Sequence, residues 1–160
     1  MATVFLALGS NVGDSEQLIK RAVELLGVSV HKITQAPMYT SKAFGVTDQP
    51  DFFNTALRGE TDLAPLELLE FVKGVEAKVG RVKRYRWGPR EIDIDIIFYD
   101  DQVINDPGLT IPHAGLRERD FVLRPLNDIE PGYIDPVSTL TIQGLLAILP
   151  QDETYILERI

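Results

Sequence analysis

Apolar positions recur along this chain at two periods, and the alternation between them outlines the fold. Val4 to Leu8 is an unbroken apolar run closed by Gly9-Ser10-Asn11, which predicts a buried strand and a turn. Leu18, Ile19, Ala22, Val23 and Leu26 then return at helical spacing. A helix is expected there, capped by Asp14 or Ser15 and stopped at Gly27. Val28 to Tyr39 reads as extended chain. Thr40 to Asp51, with Gly45 and Pro50, reads as a long loop of the kind that tends to carry function. Phe52 to Thr61 resumes as a strand in which Phe52 and Phe53 face opposite ways, so one of the two rings belongs to the core. Asp62 is expected to cap a second helix with Pro65 in its first turn. That helix carries Leu68, Leu69, Val72, Val75 and Val79 and ends at Gly80.

Arg81 to Arg90 is a polar loop, and Ile92 to Tyr99 is the clearest strand of the sequence. The order so far is β-α-β-β-α-β, which predicts an α+β fold: the ferredoxin-like split βαβ sheet with two helices on one face. From Asp100 onward a C-terminal extension of short helices and strands is expected. It contains a hairpin, helices near Phe121 to Asp128 and Ile142 to Leu149, and a last strand at Thr154 to Leu157. No repeat or linker interrupts the chain, and 160 residues fit a single domain with its own core.

Composition narrows the setting. Cysteine is absent, so no disulfide is possible and the reducing cytoplasm is the expected location. Only His31 and His113 offer imidazole, too few for a structural zinc centre. The start of the chain lacks the basic and long apolar segments of a signal peptide, and no apolar run is long enough for a bilayer. A net charge of −8 speaks against wrapping nucleic acid, because counterion release requires many cationic contacts. The expected partners are therefore small molecules, with no nucleic acid and no membrane, and the chain is expected to act as a monomer.

The candidate chemistry lies where charge is most uneven. In Ile92-Asp93-Ile94-Asp95-Ile96-Ile97-Phe98-Tyr99, strand alternation sends Ile92, Ile94, Ile96 and Phe98 one way. Asp93 and Asp95 point the other way, roughly 6.6 Å apart along the strand. Two carboxylates on one face repel each other and resist desolvation. A hard divalent cation removes both penalties, and magnesium takes one or two carboxylates together with phosphate and water. Alone, such a pair is more often just a charged strand face. Here it directly follows Arg81-Val82-Lys83-Arg84-Tyr85-Arg86-Trp87-Gly88-Pro89-Arg90, with five basic residues in ten and no acid. If metal neutralises the aspartates, these cations are left for phosphate, which arginine grips bidentately. Gly80, Gly88 and Pro89 bracket a segment able to fold over its ligand as lids do. A second basic group, Arg117, Arg119 and Arg124, follows His113. Neither a P-loop nor a dinucleotide-binding glycine fingerprint is present.

Arg86-Trp87-Gly88-Pro89-Arg90-x-x-Asp93-Ile94-Asp95-Ile96-Ile97 resembles the signature of the 6-hydroxymethyl-7,8-dihydropterin pyrophosphokinases of folate biosynthesis. The resemblance extends to Leu8-Gly9-Ser10-Asn11, to Asp48 through Asn54, to Glu76 through Arg81, and to Ile111-Pro112-His113 and Arg119-x-Phe121. It implies a ferredoxin-like fold and magnesium-dependent transfer of diphosphate from ATP to the pterin hydroxymethyl oxygen, with AMP released. It implies that Asp93 and Asp95 hold two Mg2+ ions and that Arg81 and Arg90 hold the phosphates during transfer. Glu76, Lys83, Trp87, Ile96, His113 and Arg119 would serve ATP. Phe52 and Phe121 would sandwich the pterin, with Asn54 and Ser41 at its polar edge.

The sequence departs from the family pattern at four places. Lys83 replaces a frequent arginine, Ser41-Lys42-Ala43 a common Thr-Pro-Pro, Phe52 a frequent tyrosine, and Ala114 an aromatic.

Two other readings use the same residues. A polymerase- or cyclase-like palm also pairs aspartates, but needs a basic track for nucleic acid or a partner that completes the site. A regulatory anion-binding domain gives no reason for two aspartates beside five basic residues. The reaction product separates all three.

Overall fold

The computed structural model describes residues 1–160, leaving aside the side chain of Glu153. It is a mixed α/β fold with an antiparallel sheet and four α-helices. In chain order the strands are β1 (Ala2–Ser10), β2 (His31–Gln35), β3 (Tyr39–Ser41), β4 (Phe52–Thr61), β5 (Asp93–Tyr99), β6 (Ile104–Asp106), β7 (Leu109–Ile111) and β8 (Ile156–Arg159). The helices are α1 (Ser15–Leu26), α2 (Pro65–Val79), α3 (Asp120–Ile129) and α4 (Ile142–Ala147). The main sheet runs β5-β1-β4-β3-β8, with β2 also paired to β4, while β6 and β7 form a separate hairpin. No helix among the described residues is long and apolar enough to cross a membrane.

Every residue of the central strand β1 from Val4 to Ser10 is buried, because both of its faces are covered. One face carries Val4, Leu6 and Leu8 against Ile19, Ala22 and Leu26 of α1 and Leu68, Val72 and Val75 of α2. The other carries Phe5 and Ala7 against Val122, Leu123 and Leu126 of α3 and Ile142 and Leu145 of α4. Burying each large aliphatic or aromatic side chain contributes about 1.5–3 kcal/mol, so the two clusters dominate the stability of the sheet. Two helices on one face were expected; the extension supplies a second pair for the other.

The remaining differences from the sequence reading are local. Gly9 and Ser10 stay in β1, paired with Asn54 and Phe53, and the turn begins after them. The stretch expected as one strand to Tyr39 divides into β2 and β3, which pair with separate parts of β4. Asp62 does not cap α2. Pro65 in the first turn moves the N-cap to Ala64, whose amide donates to Glu67 Oε1 at 2.9 Å. In β5 the register against β1 slips between Phe5 and Leu6, so Ile97 is an extra residue. This bulge turns Phe98 to the α3 face, away from Ile94 and Ile96. Of the two adjacent phenylalanines, Phe53 packs on the α1–α2 core and Phe52 lines a cavity. The last strand lies about two residues beyond its expected start, because the amides of Tyr155 and Ile156 are taken by Asp120.

Candidate active site

β5 is an edge strand, and its pairing with β1 sets the acidic pair: Asp93 stands opposite Gly9 and Asp95 opposite Ala7. Their neighbours Ile92, Ile94 and Ile96 are buried on the other face, so both carboxylates emerge side by side on a half-buried surface. Burial pushes the Asp95 carboxyl well above the ordinary range, and the charge of Asp93 adds to the push. Arg119 and Arg90 pull in the opposite direction. His113 Nε2 lies 3.7 Å from Asp95 Oδ1. Burial, and then the charge of Arg119, lowers the imidazole to about 4, so near neutrality it is uncharged and no ion pair forms. Its Nδ1 accepts from the Gly115 amide at 3.1 Å, which leaves the proton on Nε2, facing Asp95.

Sequence reasoning reserved the basic loop for phosphate, yet two of its arginines lean on the acidic pair. Arg81 Nη1 donates to Glu76 Oε2 at 2.7 Å and to Asp93 Oδ1 at 3.2 Å, and Arg90 Nη1 approaches the same Oδ1 at 3.4 Å. For Arg90, three residues earlier in the chain, Asp93 is the carboxylate within salt-bridge distance; Arg81 reaches it while bonded more closely to Glu76. Glu76 on α2 is buried and also accepts from the Ile94 amide at 2.8 Å. Burial raises its pKa, while the Ile94 amide and Arg81 oppose that rise. Glu76 therefore anchors both Arg81 and the backbone between the two aspartates.

A hard cation suits this donor set. Among the described residues the one basic side chain within salt-bridge distance of Asp95 is His113, which is uncharged near neutrality, and the available ligands are carboxylate oxygens. Among the described residues no group of three or more Asp, Glu, His or Cys is arranged as a metal cage. Two carboxylates would thus need phosphate and water to complete the coordination.

The site residues named from sequence fall around two adjoining spaces and a third beside them. A cavity of about 230 Å³ is lined by Ser41, Phe52, Asn54 and Phe121. Trp87 and Arg119, assigned to ATP by the resemblance, line this same cavity. A groove of about 420 Å³ is lined by Glu76, Arg81 and Ile96, with Ala114 at its edge. Asp93, Asp95, Arg90 and His113 line both spaces and form their shared wall. Lys83 lies apart from both, in a third hollow with Arg81, Arg84 and Arg90.

Inside the cavity Asn54 Nδ2 donates to Ser41 Oγ at 2.8 Å, both residues being buried. Arg119 lies over the Phe44 ring at 4.6 Å, and its buried Nε has no hydrogen-bond partner. Gly115 makes room for it: a Cβ there would stand 2.5 Å from that nitrogen.

Several participants were missed from sequence. Phe44 packs on Trp87, Phe121 and Tyr155 with ring centroids 5.4–6.2 Å apart. Gly45, at φ 80°, brings the chain so close to Trp87 that a Cβ would meet its ring at 2.6 Å. Trp87 itself is 41% exposed, so it is not a core residue. Asn11 Nδ2 donates to Gln49 Oε1 and Pro50 O, both at 2.9 Å, while its Oδ1 accepts from the Arg90 amide at 2.8 Å. Gln49 in turn donates to Trp87 O at 2.7 Å. These two amides join the Lys42–Asp51 loop to the basic loop. Glu91 accepts two hydrogen bonds from Arg84, at 2.6 and 2.7 Å, and one from the Val82 amide at 3.1 Å. Phe44 and Gly45 sit in a stretch already read as a functional loop, Asn11 and Gln49 in segments that the resemblance covers, and Glu91 between the Arg90 and Asp93 of the signature; nothing near Tyr155 in sequence marks it.

Comparison with known proteins gives a consistent result. Residues 5–131 match the family model described as 7,8-dihydro-6-hydroxymethylpterin-pyrophosphokinase. A 2-amino-4-hydroxy-6-hydroxymethyldihydropteridine pyrophosphokinase of Aquifex aeolicus is 49% identical over 86% of each chain. One from Methylorubrum extorquens is 40% identical over 93% of this chain and 94% of that protein. The folic acid synthesis protein FOL1 of Dictyostelium discoideum is 42% identical, but this chain spans only 22% of its length. The crystal structure of Plasmodium falciparum HPPK-DHPS has the same fold, with a TM-score of 0.74 at 18% identity over 91% of this chain and 43% of that one. With the sequence matched across most of its length and the acidic pair, basic loop and aromatic cavity gathered at one place, this chain belongs to the 7,8-dihydro-6-hydroxymethylpterin-pyrophosphokinase family.

Proposed function

We propose that this protein transfers diphosphate from ATP to the hydroxymethyl oxygen of 6-hydroxymethyl-7,8-dihydropterin in folate biosynthesis. The observation that carries the reading is the shared wall. Asp93, Asp95, Arg90 and His113 line both an aromatic cavity and a charged groove, so a ring held in one can meet a phosphate held in the other. The hydroxymethyl oxygen gives up its proton to solvent and forms a bond to the β-phosphorus of ATP. The bond from that phosphorus to the oxygen bridging the α- and β-phosphates breaks, and AMP leaves.

Phe52 and Phe121 take the faces of the pterin, and Asn54, oriented by Ser41, reads its polar edge. Arg81 and Arg90 are the cations at the groove and steady charge that builds on the bridging oxygen. Glu76, Trp87, Ile96, His113, Arg119 and Lys83 are the further candidates for contact with ATP. Trp87 and Arg119 lie close enough to the aromatic cavity to serve the junction between the substrates. Asp93 and Asp95 would hold two Mg2+ ions, which neutralise the phosphates and polarise them toward attack. We assign the strand order β5-β1-β4 with β2 and β3 on the far side of β4 to the ferredoxin-like class. Residues beyond Asp100 form its C-terminal extension, and the whole is one domain. A monomer in the cytoplasm is the simplest setting for this cysteine-free chain.

The test is product analysis with the pterin, ATP and magnesium. AMP and pterin diphosphate in equal amounts are expected. ADP, free pyrophosphate or no turnover would defeat the reading.

A further inference from the structure

The chain returns to the aromatic cavity from an unexpected direction, through its last strand. Asp120, the first residue of α3, is buried although it belongs to no ion pair among the described residues. Its carboxylate accepts from the Tyr155 amide, at 3.0 and 2.9 Å to its two oxygens, and from the Ile156 amide at 2.9 Å. A carboxylate receiving backbone N–H groups makes charge-assisted bonds, and here it spends them all on one short segment. From the other side, the Lys42 amide donates to Tyr155 O at 2.9 Å, and Lys42 Nζ lies 5.7 Å from the Tyr155 ring centroid. The Tyr155 ring is thus held in place by its own backbone. It packs on Phe44 at 5.4 Å and on Phe121 at 5.9 Å. Phe44 and Phe121 both line the cavity; Tyr155 stands behind them.

We infer that Tyr155, clamped by Asp120, is the back wall that sets the rings of Phe44 and Phe121, and that both are positioning residues for the pterin. The inference rests on the reading of the aromatic cavity as the pterin site. Asp120 sits between Arg119 and Phe121, so one helix start presents a cavity cation, an anchor and a cavity ring in succession. Without the anchor the last strand is held to α3 less firmly, and Phe121 loses a neighbour that limits its tilt. The groove side shares none of these contacts: Glu76, Arg81 and Ile96 touch neither Tyr155 nor Asp120 in any hydrogen bond or ring contact of the described residues.

The full-length variants Tyr155→Ala, Tyr155→Phe, Asp120→Asn and Asn54→Ala test it. The readouts are the pterin KM, kcat, and separate equilibrium affinities for pterin and for magnesium-ATP, with thermal unfolding of each variant. Tyr155→Ala is expected to weaken pterin binding about tenfold, and Asp120→Asn about threefold, with a smaller loss for ATP, whose candidate contacts Trp87 and Arg119 also pack on Phe44. Tyr155→Phe keeps the ring and is expected to bind as the parent does. Unchanged pterin affinity in Tyr155→Ala would overturn the inference, as would equal losses for both ligands, which mean a merely structural role. If Asn54→Ala weakens pterin binding while Tyr155→Ala does not, the cavity is correctly read and only the back wall is wrong. If neither variant affects the pterin, the cavity reading and this inference fail together.

Discussion

In the aromatic cavity the principal amide is already paired and the rings already packed. Asn54 donates to Ser41, and Phe44 touches Trp87, Phe121 and Tyr155. In the groove next to it, two carboxylates stand side by side, Asp95 is pushed toward its neutral form, and two arginines share one oxygen of Asp93. The first space is shaped by contacts that need no ligand, which suits a flat ring whose binding energy comes from burial and fit. The second holds charges whose balance would improve if phosphate and a cation arrived together, as the proposed function requires. Cations bound to substrate phosphate would take over Asp93 and Asp95 and release Arg81 and Arg90 for the phosphates.

That contrast can be broken in order of expected effect. Asp95→Ala should lower turnover by about a thousandfold, because it removes an oxygen ligand from the centre that neutralises the phosphates. Its melting temperature should not fall, since the carboxylate removed is disfavoured by burial and by the charge of Asp93; retained activity in magnesium would mean that the metal is held elsewhere. Arg90→Ala should lower kcat by about a hundredfold with little change in KM for ATP, as expected of a donor used mainly in the transition state. A change confined to KM would show uniform binding instead. On the other side of the wall, Asn54→Ala should raise the pterin KM about tenfold and leave ATP affinity alone. Loss of both affinities would erase the division between the two spaces.

The smallest effect concerns the loop that joins them. The Arg84 guanidinium holds the Glu91 carboxyl down to about 2, against partial burial. Because the folded-state pKa is depressed, the stabilisation is present above the ordinary carboxylate range and is lost as pH falls through about 2. The stability difference between the parent and Glu91→Gln should therefore be constant near neutrality and shrink to nothing at the acid end, as followed by denaturant unfolding. The contribution is modest, since the arginine faces solvent and salt screens it. A difference that grows on acidification would reverse the sign and exclude the bridge as its cause.

How much of this was legible beforehand depends on the distance over which each feature is set. Periodicity located β1, β4, β5, α1 and α2 closely, because burial on one face selects apolar residues at the period of the element. The pairing of Asp93 with Asp95 follows from strand alternation alone, and the five cations before it from simple reading. Alternation failed two residues later at Ile97, because the slip against β1 depends on the partner strand. The division of β2 from β3 and the shifted start of β8 failed for the same kind of reason, a neighbour distant in sequence, whereas the cap at Ala64 is local and set by Pro65 and Glu67.

The sequence by itself determined most of the elements, which strand carries the acids and which loop carries the cations. These are consequences of residue type at short range, where side-chain direction follows from backbone period. Only the tertiary structure decided what those charges face. It put Glu76 under Arg81, turned a neutral His113 toward Asp95, joined two loops through Asn11 and Gln49, and brought Tyr155 behind Phe44 and Phe121. Apart from the Glu76–Arg81 pair, which closes locally at the end of α2, these contacts link residues far apart in the chain, and their meeting is set by how the helices pack on the two faces of the sheet. Local patterning carries no record of that, so the acidic pair and the basic loop could be named from the sequence while the partition into an aromatic cavity and a charged groove could not.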